Sequence, residues 1–233
     1  MSRTNDGYVR TLFFICLLTG AFLGLWPQLD LAVSRFFYAP GQGFQLSGST
    51  ASELFRASVW DLSMLVFLVT LLGIAIAPSK RRLWRVPSGL WIYLFALYVL
   101  GPLVLVNGIL KAHWGRARPA DVVEFGGEHQ FTPFWQPADE CLKNCSFVSG
   151  EVAAVFALSL AMLMLTSTET RSLRGPWRHI FRVLAFALPP LVMLQRLAAG
   201  RHFLSDVVLA GLIVLLLAGA LTPLLAIGRR ATD

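Results

Sequence analysis

Six stretches of the chain carry no charged residue and are predominantly apolar: residues 11–29, 62–79, 86–110, 152–168, 183–195 and 207–228. A run of about 20 such residues is what an α-helix needs to cross a bilayer's ~30 Å hydrocarbon core. Lipid offers the backbone no hydrogen-bond partner, so a spanning segment must satisfy its own N–H and C=O groups. The pattern therefore predicts an all-α integral membrane protein built as a bundle of six transmembrane helices. The fifth run is short, lies between Arg182 and Arg196, and holds Pro189-Pro190, which predicts a kink. Its flanking arginines can snorkel to the two interfaces. The first run follows Arg3 and Arg10 as a secretory signal would, but it is long for such a segment and no A-x-A site follows. It reads as a retained helix.

Composition agrees: 56% of the 233 residues are hydrophobic and only 14% charged, against about a quarter charged in soluble domains. No repeat or low-complexity tract divides the chain, so residues 1–233 read as a single membrane domain. The net charge of +7 suits cytoplasmic loops and lipid headgroups rather than nucleic acid, since no basic run interleaves with aromatics. Lys80, Arg81, Arg82 and Arg85 lie between the second and third runs, Arg171, Arg174 and Arg178 between the fourth and fifth, and Arg229 and Arg230 after the sixth. The positive-inside rule puts these segments, and both termini, in the cytoplasm. Residues 30–61, 111–149 and 196–206 then face outward. Phe36-Phe37-Tyr38 in the first of these suits an interfacial aromatic belt. Cys141 and Cys145 can pair if their loop faces an oxidising compartment; with Cys16 they show no zinc or thioredoxin-like spacing.

The outward segments hold basic residues that the same rule disfavours there. Lys111, Arg116 and Arg118 follow the third run, Ser149, Gly150 and Glu151 open the fourth, and Arg196, Arg201, His202 and Asp206 bracket the turn between fifth and sixth. Ionisable groups at a membrane edge are functional candidates. Arginine forks and a lysine point charge suit an anion with several oxygens, such as phosphate. Ser149-Gly150 at a helix start offers backbone N–H groups and the positive end of a dipole. His202 and Asp206 are four apart, so on one helical turn the carboxylate would fix the imidazole tautomer and leave the other nitrogen free to attack.

These residues resemble the fingerprint of the type-2 phosphatidic acid phosphatase family, which shares its core with vanadium haloperoxidases: K-x6-R-P, then P-S-G-H, then S-R-x5-H-x3-D. This chain reads Lys111-x6-Arg118-Pro119, then Val148-Ser149-Gly150-Glu151, then Gln195-Arg196-x5-His202-x3-Asp206. The resemblance covers residues ~60–225 and the six-span plan. It implies a metal-independent lipid phosphate phosphatase with no cofactor; no H-E-x-x-H or paired metal-ligand spacing occurs. Lys111, Arg118 and Arg196 would hold the phosphate with Ser149 and Gly150. His202, oriented by Asp206, would form a phosphohistidine that water then hydrolyses. The implied location is the inner membrane of a bacterium, with the site facing the periplasm.

Three letters depart from the pattern: Val148 for Pro, Gln195 for Ser and Glu151 for His. The family's His protonates the leaving oxygen, and a carboxyl does so only while it holds a proton. Helix-dipole stabilisation is the alternative role for Glu151. The S-G-E variant resembles that of bacterial lipid A phosphatases, which makes lipid A the favoured substrate. Undecaprenyl pyrophosphate, phosphatidylglycerol phosphate and phosphatidic acid stay open, as do phosphotransfer to a second lipid and binding without turnover. Arg116, Arg201 and His113 are candidates for substrate contact or interfacial charge. Phe125, Phe131, Phe134 and Trp135 form either a headgroup-covering lid or an interfacial loop.

Overall fold

A computed structural model describes residues 2–76, 82–83, 86–167 and 175–227, and most of that backbone is helical. Helix α1 (Ser2–Leu25) is followed by a short α2 (Gln28–Phe36), a two-stranded hairpin (β1, Tyr38–Ala39; β2, Gly43–Phe44) and α3 (Thr50–Ile76). A second small ladder (β3, Arg82–Leu83; β4, Val86–Pro87) leads into α4 (Ser88–His113). Then come α5 (Gly150–Leu165), α6 (Pro176–Ala198) and α7 (Leu204–Ala220). Four segments are long and apolar enough to cross a membrane: Asp6–Leu25, Thr50–Ile76, Ser88–His113 and Pro176–Ala198. Two more apolar helices, α5 and α7, have 16 and 17 residues. Lys80, Arg81, Arg85, Arg171, Arg174, Arg229 and Arg230, on which the expected sidedness rests, lie outside the described residues.

Each apolar run of the sequence contains the heart of one helix, but the ends differ for local reasons. The first helix stops at Leu25, before Trp26-Pro27, and the chain restarts as the amphipathic α2, where a loop was expected. Asp30 and Ser34 form the buried face of α2. Helix α3 starts at Thr50 because charged residues occupy its first turns: the Ser49 hydroxyl accepts from the Ser52 N–H (3.4 Å), and Arg56 pairs with Glu53 at 2.7 Å, one turn away. Helix α6 begins at Pro176, whose missing N–H costs nothing at a first helical position, and continues through Pro189-Pro190.

Helix α5 forms the centre. It packs against α3, α4, α6 and α7, and Val152, Ala153, Val155, Ala157 and Leu158 are all 0% exposed. A helix apolar on every side belongs in the middle of a bundle, and its alanines let neighbours approach closely. Helix α1 packs on α7 and turns Phe13, Phe14, Leu17, Leu18 and Phe22 outward, as a lipid-facing helix does. Helix α4 widens to π geometry over Val99–Leu110, around Pro102, and the Asn107 amide donates to the Pro102 carbonyl at 2.6 Å. This sets Asn107 against the start of α5: a Cβ on Gly150 would lie 2.7 Å from the Asn107 Oδ1.

The segments before α3 and before α5 fold onto the α6–α7 turn. Phe44, Ala117, Val122, Phe125 and Phe203 make a second apolar cluster, with Phe131 against it. Phe134 stacks on Phe147, and Trp135 is exposed. The Leu46 N–H donates to the Ala198 carbonyl and the Ala120 N–H to the Gly200 carbonyl, both at 3.0 Å. Gly200 has φ +65°, and a Cβ there would run into the Phe44 ring. The variant Gly200→Ala is expected to lose about 1–3 kcal/mol from left-handed strain plus overpacking, read as lowered thermal stability of the detergent-purified protein.

Candidate active site

His202 lies in the turn just ahead of α7, with Phe203 at that helix's N-cap and Asp206 in its first turn. Since the histidine precedes the helix, the four-residue spacing does not stack its ring on Asp206. The Asp206 Oδ2 is 3.9 Å from the His202 Nδ1, while the Ser146 carbonyl is 2.8 Å from it. Asp206 is otherwise engaged: its Oδ2 accepts from the Phe203 N–H (2.8 Å) and the Ser146 hydroxyl (2.5 Å). Asp206 thus reaches the histidine through Ser146 as well as through its charge. A carbonyl only accepts, so the Nδ1 carries the proton and the Nε2 keeps its lone pair. Burial pushes the His202 imidazole below its ordinary 6.5, opposed by Glu151 and Asp206.

Behind Asp206 stands Arg116, 0% exposed. Its Nη1 donates to the Asp206 Oδ1 (2.6 Å) and the Ser205 hydroxyl (2.9 Å), its Nη2 to the Asp30 Oδ2 (2.8 Å), and its Nε to the Thr132 carbonyl (2.8 Å). The Phe203 ring lies 4.3 Å from the guanidinium carbon. The sequence suggested substrate contact or interfacial charge for this residue. It is instead an interior ion, and Asp30, Ser146 and Ser205 are partners that sequence reasoning passed over. The available signal was Asp30 itself, a carboxylate directly after an apolar run and so a membrane-edge ion of the kind singled out elsewhere.

In front of His202 a polar cavity of about 230 Å³ is lined by Glu53, Arg56, Arg118, Asn144, Glu151, Arg196, Arg201 and His202. Helix α6 delivers Arg196 from its last turn, and α3 delivers Glu53 and Arg56 from its first two turns. Arg196 donates Nε to the Gln195 Oε1 (2.6 Å) and Nη1 to the Glu151 Oε1 (3.2 Å), with Nη2 3.6 Å from the Glu53 Oε1. Arg118 donates Nη2 to the Asn144 carbonyl at 2.6 Å. The Arg118 Nε and the Arg196 Nη2 are buried without a hydrogen-bond partner. Buried donors normally find one, and a tetrahedral oxyanion in this cavity supplies it. Glu53, Arg56 and Asn144 were not foreseen. The apolar-run criterion had left the first two in a loop, although their i, i+3 spacing is that of a helix.

Glu151 and His202 face each other directly. The Glu151 Oε2 lies 3.5 Å from the His202 Nε2 and, like the two arginine nitrogens, is buried without a hydrogen bond. Ser149 is fully buried as the N-cap of α5, its hydroxyl accepting from the Val152 N–H at 3.4 Å. Gly150 has its small size explained by Asn107 rather than by a ligand. Lys111, half-buried at the end of α4, acts electrostatically on Glu151, Arg118, Arg196 and Arg201, and His113 beside it is exposed. Cys141 and Cys145 are joined as a disulfide. That small ring presents the Asn144 carbonyl to Arg118, and Ser146 follows it directly, so one covalent closure anchors contacts on both sides of the cavity.

Removing the guanidinium with Arg116→Met would leave Asp30 and Asp206 buried without their counter-ion. The expected loss is about 3–5 kcal/mol, read from thermal or denaturant unfolding in detergent. The chain is similar to known proteins along most of its length. The family model described as the PAP2 superfamily covers residues 89–227. The chain is 39% identical over 243 residues to the lipid A 4'-phosphatase of Rhizobium etli, spanning 95% of this chain and 89% of that one. It is 40% identical over 220 residues to the lipid A 4'-phosphatase of Rhizobium leguminosarum, spanning 85% and 88%. The lipid A 4'-phosphatase of Francisella tularensis subsp. novicida is 30% identical over 210 residues, spanning 86% and 87%. No solved structure matches. With a family match over most of the chain and relatives similar along nearly all of it, the chain belongs to the PAP2 superfamily.

Proposed function

We propose that the protein is a metal-independent phosphatase that removes a phosphate monoester, the 4'-phosphate, from lipid A. The observation that carries this is the unprotonated Nε2 of His202, 3.5 Å from the Glu151 carboxylate, opening on a cavity where Arg118 and Arg196 hold unpartnered donors. The choice of lipid rests on the relatives, three of which are named for that reaction.

The mechanism has two steps. Arg118 and Arg196, with Lys111 adding field and the Ser149–Gly150 helix start behind them, neutralise the phosphate oxygens. This stabilisation of spreading charge carries much of the rate in phosphoryl transfer. The His202 Nε2 attacks phosphorus, the bond to the lipid oxygen breaks, and that oxygen takes a proton from water, relayed by the Glu151 carboxylate. The hydroxide so formed attacks the phosphohistidine, and inorganic phosphate leaves with both residues restored. Glu151 lies opposite the nucleophile, so one carboxylate can serve both steps.

The six-span arrangement, with both termini cytoplasmic and the site at the periplasmic face of a bacterial inner membrane, is part of this proposal. Its supports are the six apolar helices, the basic segments along the sequence, and the disulfide, since such bonds persist where the surroundings are oxidising. Lipid A as substrate and a periplasmic site agree with each other.

The test is turnover by the detergent-purified protein, without added metal, on lipid A, undecaprenyl pyrophosphate, phosphatidylglycerol phosphate and phosphatidic acid, reading free phosphate and lipid mass together. Lipid A should lose one phosphate, at the 4' position; release only from another lipid would replace the substrate. His202→Ala should lose all turnover, and Glu151→Gln about 10²–10⁴-fold; full activity of His202→Ala would sink the mechanism. Because the His202 imidazole lies below 6.5, kcat/KM should hold through neutral pH and fall only as acid protonates the nucleophile below that value.

A further inference from the structure

We propose that Asp30, on α2 and outside the cavity, is a positioning residue for the His202 nucleophile, acting through Arg116, Asp206 and Ser146. The inference rests on the phosphatase reading above. Asp30 is 2% exposed, and both of its oxygens are committed. Its Oδ1 accepts from the Ser205 N–H at 2.7 Å, and its Oδ2 from the Ser205 hydroxyl at 2.6 Å and the Arg116 Nη2 at 2.8 Å. The Arg116 Nη1 continues to the Asp206 Oδ1, the Asp206 Oδ2 accepts from the Ser146 hydroxyl, and the Ser146 carbonyl holds the His202 Nδ1. Every link is a hydrogen bond between buried groups, so a change at one end is not absorbed by solvent.

Two effects follow. The first is geometric. Arg116 is fixed by carboxylates on two of its nitrogens and by the Thr132 carbonyl on the third. A neutral amide at position 30 would release one side of that fork, and Asp206, Ser146 and the imidazole would lose their common reference. The second is electrostatic. One guanidinium between two carboxylates leaves a surplus negative charge behind the imidazole. The ring gains positive character as the Nε2 bonds to phosphorus, so that surplus favours the transition state over the resting enzyme. With position 30 neutral, Arg116 would cancel the charge of Asp206.

The experiment compares Asp30→Asn with Asp30→Glu and the wild type, in detergent, on the lipid that the wild type hydrolyses, with rates normalised to folded protein. Three other charged groups bear on His202, namely Glu151 from α5, Asp206 from α7 and Lys111 from the end of α4, and all three are unchanged in these variants. Asp30→Asn should lose about tenfold or more in kcat with KM within about twofold, the signature of an interaction used in the transition state. The acid limb of its kcat/KM profile should move to lower pH, because a negative charge that favours the imidazolium is gone. Asp30→Glu, which keeps the charge, should hold the limb at its wild-type position. A purely structural role would reduce the folded fraction and leave kcat per folded enzyme and the limb unmoved; that result overturns the proposal. If Asp30→Asn does not accumulate folded, Ser205→Ala removes the hydroxyl joining Arg116 to Asp30 and keeps both charges. It should lower kcat at constant KM, and an unchanged kcat would overturn the proposal. Wild-type turnover is measured first, and its absence on every lipid would overturn the phosphatase reading and this inference together.

Discussion

A guanidinium sealed inside one end of the bundle governs much else in this molecule. Arg116 has no access to water, and an ion in such a place is tolerated only with its charge and its donors answered. The answers come from three separate parts of the chain: Asp30 on α2, the Thr132 carbonyl in the long segment before α5, and Ser205 and Asp206 at the head of α7, with Phe203 beneath the guanidinium plane. Once these are fixed, the long segment before α5 is tied down, the start of α7 is set, and the turn carrying His202 is held between them. His202 is held in place because its neighbours are required elsewhere.

The cavity in front of that histidine follows a different rule. Behind His202, both oxygens of Asp30 and of Asp206 and all three guanidinium nitrogens of Arg116 are hydrogen-bonded; in front, the Arg118 Nε, the Arg196 Nη2 and the Glu151 Oε2 are buried without hydrogen bonds. Leaving such groups unmade costs stability, and proteins accept the cost where a ligand makes the bonds. Glu151 in the position of the family's histidine alters the local charge: it pairs with Arg196 on one oxygen and faces His202 with the other. The substitution places a carboxylate where the family pattern has an imidazole.

The helices and the motif residues were legible in the sequence because each rests on a local signal. Absence of charge marks the core of a spanning helix, and fixed spacings mark Lys111, Arg118, Arg196 and His202. Helix ends were less legible. Glu53 and Arg56 precede the apolar run yet belong to α3, since a helix end at a membrane surface welcomes charge. Least legible were the partners of Arg116. Asp30 and Ser205 are 175 residues apart, and no periodicity connects them. The histidine's immediate acceptor, a backbone carbonyl at Ser146, has no side-chain identity to read. Spacing suggested a direct His202–Asp206 bond, but helix α7 begins after His202, so the expected helical register does not apply.

The same network bears on how the protein is made. Synthesis runs from the N-terminus, so α1 and α2 are made long before α7. Until then the Asp30 carboxylate can have Arg116, 86 residues downstream, but not Ser205, 175 residues downstream. Charged groups without their full set of partners stay where water can reach them. The network is therefore complete only when α7 brings its first turn to Asp30 and Arg116, which makes the last helix the one that seals it.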